Sequence, residues 1–167
     1  IEKSSLHNFD PVEMRILTIL LHNNFLIEIA LNTFDVNLIK TESIAELLDF
    51  CFCLFEEEGS INLRVLYDKI PASLSSLFVL IEEPLLLGET EGAHKNAVFK
   101  DYVEHLLQLE LKNVKAMQAG RRDNSFMVLQ NAIRSLTEYK KSLGNDTFLA
   151  ENILKKYLEV KKVIMDT

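Results

Sequence analysis

Residues 94–129 read HKNAVFKDYVEHLLQLELKNVKAMQAGRRDNSFMVL. Apolar side chains recur at three- and four-residue intervals from Val98 to Met117, which predicts one helix of about seven turns over 94–119. A Gly, two arginines and Asp-Asn-Ser then interrupt the stripe. Beyond them Phe126, Leu129, Ile133, Leu136 and Leu143 fall at a-and-d spacing, with Lys140 interrupting. A phosphate cradle would need several glycines, a Lys-Ser/Thr pair and a preceding strand. Here a single Gly follows a helix, so the interruption reads as a bend. Gly120 suits a helix C-terminus, Arg121 and Arg122 complement its negative dipole end, and Asp123 to Ser125 caps the next helix. The stretch is therefore an antiparallel helical hairpin.

The long helix changes character along its length. Val98, Phe99, Tyr102, Val103, Leu106, Leu107 and Leu109 cover a wide arc, whereas only Leu111, Val114 and Met117 follow. The first half is expected in a core and the second half outside it. Upstream, Asp10-Pro11-Val12-Glu13 is a helix start with an Asp cap and Pro at the first position. It opens MRILTILLHN, ending near Asn23-Asn24, and FLIEIAL follows as a short helix. Ser43-Ile44-Ala45-Glu46 has the form of a capping box, and the helix after it is apolar on nearly every side from Phe50 to Phe55, as for a central bundle helix. Gly59 is placed to end it. INLRVLYDKI and SLSSLFVLI are two further short helices separated by Pro71, and Glu82-Glu83-Pro84 stops the second. LLLGETEGAH reads as a loop. Gly144-Asn145-Asp146 ends the hairpin, and FLAENILKKYLEVKKVIM is a final amphipathic helix with the stripe Leu149, Ile153, Tyr157, Val160 and Ile164. The expected architecture is all-α: a compact multi-helix bundle over 1–109, which includes the first half of the long helix, then a helical hairpin with an extra terminal helix over 110–167.

Of the 167 residues, 48% are apolar, and Gly and Pro contribute only 5 and 3, a composition that can bury a core. The chain begins with Ile1, as expected of a piece of a longer protein. No apolar run approaches a membrane span and no signal-peptide layout opens the chain, which points to a cytoplasmic protein. Two cysteines make no disulfide framework. The net charge of −7 conceals an asymmetry. Residues 1–93 carry 5 basic and 16 acidic side chains, and residues 94–167 carry 13 and 9. That excess is too small to mark a nucleic-acid binder on charge alone.

Catalytic constellations are missing from the pattern. Cys51 and Cys53 lie two apart, about 200° around a helix, and cannot share an ion. They read as buried packing. His7, His22, His94 and His105 include no pair at ligand spacing, and His94 and His105 lie about 16 Å apart along the helix. Glu56-Glu57-Glu58 reads as a solvated helix end or as an acidic patch for a basic partner. Neither a nucleophile elbow nor a Gly-rich nucleotide loop occurs. No catalytic residue, cofactor or metal is expected of this segment. What stands out is the hairpin. Phe126, Met127, Leu129, Ile133, Leu136 and Tyr139 offer more apolar surface than one seam needs. Either the last helix, Phe148 to Met165, covers the excess, or a partner does.

MRILTILLHNNFLIEIAL, followed by IAELLDFCFCLFEEEGSINLRVLYDKI and SLSSLFVLIEEPL, resembles the C-terminal domain of bacterial DNA primase. That family opens with a helix of the type R-x-L-x-x-L-L-x-x-P-x-L. Arg15, Leu17, Leu20, Leu21 and Leu26 match it, with Asn24 where Pro is common. FKDYVEHLLQLELKNVKAMQAGRRDNSFMVLQNAIRSLTEYKKSL is similar to the family's long helix and terminal hairpin. The resemblance spans residues 10–143, in pattern and element order. It implies a non-catalytic domain that binds the replicative hexameric helicase, brings primer RNA synthesis to the replication fork and modulates the helicase. The polymerase and zinc parts of the parent primase would lie upstream. Attachment would fall on Phe126, Leu129, Gln130, Ile133, Arg134, Leu136, Tyr139 and Lys140, flanked by Arg121 and Arg122. Many family members end near the position of Lys141, whereas this chain continues through NDTFLAENILKKYLEVKKVIMDT. That last helix could cover the assigned surface or itself dock.

The alternative reading is the N-terminal collar domain of the helicase, which would self-associate through its hairpin. The first reading expects a fragment that is monomeric or weakly self-associating, with no membrane contact and no direct nucleic-acid binding.

Overall fold

The computed structural model describes residues 9–81, 91–144 and 149–167, and among these all regular structure is helical. The chain forms two compact units, one ending at residue 86 and the other beginning at 87. The whole long helix belongs to the second unit, so this division differs from the boundary expected at 109/110.

In the first unit, α1 (Pro11–His22) starts as its sequence requires. Asp10 accepts from the amides of Val12 at 2.8 Å and Glu13 at 3.3 Å, with Pro11 at the first helical position. Asn23 breaks the helix, its side chain donating to the Ile19 carbonyl at 2.9 Å, and α2 (Asn24–Thr33) follows. A 3-10 turn at Val36–Leu38 leads to α3 (Glu42–Glu58). That helix begins ahead of the expected capping box. Thr41 is its N-cap and makes no side-chain capping bond. The amides of Lys40 and Thr41 instead reach the Glu13 carboxylate, at 2.8 and 3.2 Å. Glu13 is 1% exposed, so a buried carboxylate on α1 satisfies the donors that precede α3. Gly59 ends α3 at φ 78°, and its amide bonds Phe55 at 2.7 Å. A Cβ there would meet nothing within 4 Å, so the left-handed backbone alone selects glycine.

Asn62 caps α4 (Leu63–Lys69), accepting from Arg64 at 2.9 Å and Val65 at 3.4 Å. After Pro71 and a 3-10 turn at Ala72–Leu74 comes α5 (Ser75–Val79). Tyr67 and Phe78 pack with ring centroids 5.3 Å apart. The core is Ile16, Leu17, Leu20, Leu26, Ile27, Ile44, Leu47, Leu48 and Leu66, each at most 1% exposed. His22 closes the unit by bonding the Ile81 carbonyl through Nε2. The expected stop at Glu82-Glu83-Pro84 lies outside the described residues.

Among the described residues the second unit has three α-helices: α6 (Glu91–Ala119), α7 (Asn124–Leu143) and α8 (Ala150–Met165). Residues 85–90 of the expected loop lie outside the described residues, and residues 91–94 are instead the first turn of α6. Asp123 caps α7 by accepting from the Ser125 amide at 3.0 Å, as the bend reading requires. Gly144 ends it, while Asn145 and Asp146 lie outside the described residues. α8 packs on both α6 and α7. The second half of α6 consequently stays inside: Val114 is fully buried and Leu111 is 9% exposed. A narrow apolar stripe suffices when two helices flank it.

Candidate functional site

Packing of the three helices buries much of the ridge expected to face a partner. Leu129 and Leu136 are fully buried, as is Leu143. Ile153, Tyr157 and Ile164 of the predicted α8 stripe are buried too, while Val160 is half-buried and Leu149 is 38% exposed. Leu129 and Leu136 therefore present no surface to another protein while the three helices stay together. Ile133 and Tyr139 are half-buried. Gln130 accepts from the Gln118 amide at 2.7 Å, and Lys140 donates to Gln108 at 3.4 Å, so both tie α7 to α6. Arg134 is exposed.

The surface that remains open lies at the bend. Phe126 is 40% exposed, Met127 60% and Val128 37%. Consecutive helical residues point about 100° apart, so exposure of all three means that the first turn of α7 protrudes uncovered on most sides. The last turn of α8 comes to the same end, since Arg121 Nη1 reaches the Thr167 carbonyl at 3.5 Å and Ser125 Oγ at 3.4 Å. There Val163 and Met165 add exposed apolar surface. A depression of about 530 Å³ opens at the bend, lined by Lys115, Gln118, Ala119, Arg121, Arg122, Asp123, Phe126 and Met127. The Asp123 carboxyl is held below its usual range by bonds from the Ser125 hydroxyl and amide, with Arg121 adding to them. Of the ten residues assigned to attachment, Arg121, Arg122 and Phe126 gather here. Lys115, Met127 and Val128 join them although the sequence reading did not assign them.

A second cluster escaped that reading altogether. Glu110, fully buried, receives Lys161 Nζ at 2.7 Å and the Tyr157 hydroxyl at 2.8 Å on one oxygen, and Asn113 Nδ2 at 2.8 Å on the other. Tyr157 is fully buried and Lys161 is 8% exposed. The signal was present: Glu110 continues the spacing of Leu106, Leu107 and Val114, and Lys161 that of Leu154, Tyr157 and Ile164. Two opposite charges at seam positions of two helices call for each other. Sealed from solvent, the cluster has no route for a substrate. It fixes the register of α8 on α6.

Cys51 is buried, and burial pushes its thiol up to about 12, whereas Cys53 is exposed rather than packed as expected. Glu56, Glu57 and Glu58 are exposed, with Glu58 bonded to Lys69 at 2.8 Å. His105 Nδ1 sits 2.9 Å from Asp101 Oδ1, one turn away. Burial pulls the His105 pKa down, but the bonds and charge of Asp101 prevail and raise it above 6.5. Among the described residues no cluster of His, Cys, Asp or Glu could hold a metal ion, and no helix is long and apolar enough to cross a membrane. Comparison with protein families, with curated proteins and with solved structures finds no match to the chain.

Proposed function

We propose that this chain is a non-catalytic protein-interaction domain that docks on the replicative hexameric helicase through the bend end of its three-helix unit, recruiting primer RNA synthesis to the replication fork. The helicase as partner rests on the resemblance of residues 10–143 to the C-terminal domain of bacterial primase. The docking end rests on one observation: Phe126, Met127 and Val128 are all exposed on one turn, beside Arg121 and Arg122. Aromatic and Met side chains ringed by arginine are the residue types that anchor interfaces. Attachment thus falls at the end of the hairpin, where Phe126, Met127 and Val128 are exposed, rather than on the α7 ridge, where Leu129 and Leu136 are buried.

Surface plasmon resonance with the immobilised helicase tests it. Phe126→Ser together with Met127→Ser is expected to weaken binding by at least about 2 kcal/mol, or roughly thirtyfold, with the thermal unfolding midpoint held close to that of the parent chain. Affinity equal to the parent's would refute the placement. Sedimentation of the isolated chain addresses the self-associating collar alternative, which requires a stable trimer or hexamer where this proposal expects a monomer.

A further inference from the structure

The depression at the bend is chemically lopsided. Lys115, Arg121 and Arg122 bring three cations to its lining, against one carboxylate. That carboxylate, Asp123, is already engaged by the Ser125 amide at 3.0 Å and by the Ser125 hydroxyl. Among the described residues Lys115 and Arg122 form no ion pair, and both are exposed. Arg121 is half-buried and anchored to Ser125 and the Thr167 carbonyl, so it is held in place rather than sweeping through solvent. Ala119 contributes almost no side-chain bulk to the lining, while Phe126 and Met127 give it apolar surface. The negative dipole end of α6 lies beside the positive end of α7 here, so the two helix ends largely offset each other.

We infer that the bend basin receives an acidic, apolar-anchored helical segment of the partner protein: carboxylates meet Lys115, Arg121 and Arg122 while a Leu- or Phe-sized side chain lies against Phe126 and Met127. The inference rests on the docking reading above and adds the chemistry of the docked segment. Charge complementarity chooses this occupant. Nucleic acid would also supply anions. However, the net charge of −7 is the sum of −9 over residues 1–86 and +2 over residues 87–167, so at long range the chain is an anion and disfavours a polyanion. A short peptide helix with few carboxylates meets only the local field, and its apolar side chain uses Phe126 and Met127, which a phosphate backbone leaves wet. Met127, at 60% exposure, has the flexible thioether chain that adapts to apolar partners of varied shape.

The probe is a fluorescein-labelled amphipathic peptide of about four helical turns, Leu on one face and Glu on the other. It is compared by fluorescence anisotropy with a twin in which every Glu is Gln, and with a labelled oligothymidylate. The full chain is expected to bind the acidic peptide at least about tenfold more tightly than either control, and to lose most of that binding as salt rises. Lys115→Glu with Arg122→Glu is expected to weaken peptide binding about tenfold or more, and Phe126→Ser to weaken both the acidic peptide and its Gln twin. These exposed sites should leave the circular dichroism spectrum unchanged, and Arg122→Gln provides a milder check of the same cation. Equal affinity for the acidic peptide and its Gln twin, indifference to the charge reversals, or tighter binding of the oligothymidylate would overturn the inference. The same variants on the immobilised helicase separate the two levels. Helicase binding that survives charge reversal but falls with Phe126→Ser keeps the docking site and removes its acidic ligand. Helicase binding indifferent to both removes the site itself.

Discussion

Among the described residues each unit buries one glutamate, and the two are satisfied in opposite ways. In the first, Glu13 takes its donors from the main chain: the amides of Lys40 and Thr41, just ahead of α3. In the second, Glu110 takes side chains from two helices: Lys161, Tyr157 and Asn113. A carboxylate bonded to amides does the work of a missing cap and holds a connection in place. A carboxylate paired with a buried lysine fixes how two long helices slide against each other, and adds little net stability, because both ions lose their water. The first unit, whose helices are joined by several turns, needs its connections held. The second, three helices with long apolar seams, needs its register chosen.

The largest test of this contrast is Glu110→Leu, which takes the carboxylate away from the buried Lys161 ammonium. It is expected to cost about 3–5 kcal/mol by urea unfolding, whereas Glu110→Leu combined with Lys161→Met is expected to recover to within about 1 kcal/mol of the parent. If the double variant is as unstable as the single one, Lys161 is not paired as described. Glu13→Ala leaves two amides without their acceptor but strands no opposite charge, and the expected loss is about 1–3 kcal/mol. A loss matching that of Glu110→Leu would erase the distinction between the two glutamates. Smaller again is Tyr157→Phe, which removes one of three donors to Glu110, at about 1 kcal/mol in the same assay.

Least in size is a pH effect on α6. The folded pKa of His105 is raised above its ordinary 6.5 beside Asp101. Its contribution is therefore complete below 6.5 and fades as pH rises through the higher folded value. Comparing His105→Gln with the parent by urea midpoint, the gap should be widest near pH 5.5 and narrow towards about pH 8.5. A gap that widens with rising pH would contradict the raised value.

Local chemistry was legible in the sequence and distant pairing was not. Asp10-Pro11, Gly59 and Asp123 mark helix ends through bonds to residues at most four positions away, and each stands where the pattern places it. The capping box at Ser43 does not, because the turn's donors found Glu13 on another helix first. The hairpin was likewise legible, from the resumption of spacing at Phe126. Which of its apolar residues remain outside was not, because Leu129 and Leu136 share the spacing of Phe126 and differ from it only in being buried. Burial on a ridge depends on how neighbouring helices pack over it, and the Glu110–Lys161 pair that ties α6 to α8 joins residues on different helices.

Hydrogen exchange on the helicase complex tests the central claim most directly, the claim that a partner meets the bend end while the three-helix seal stays shut. Slower exchange is predicted across residues 115–128, with the amides of α8 unchanged. Faster exchange in α8 on binding, together with new protection along α7 from Leu129 to Lys140, would mean that the partner pries the third helix away and takes the ridge beneath it.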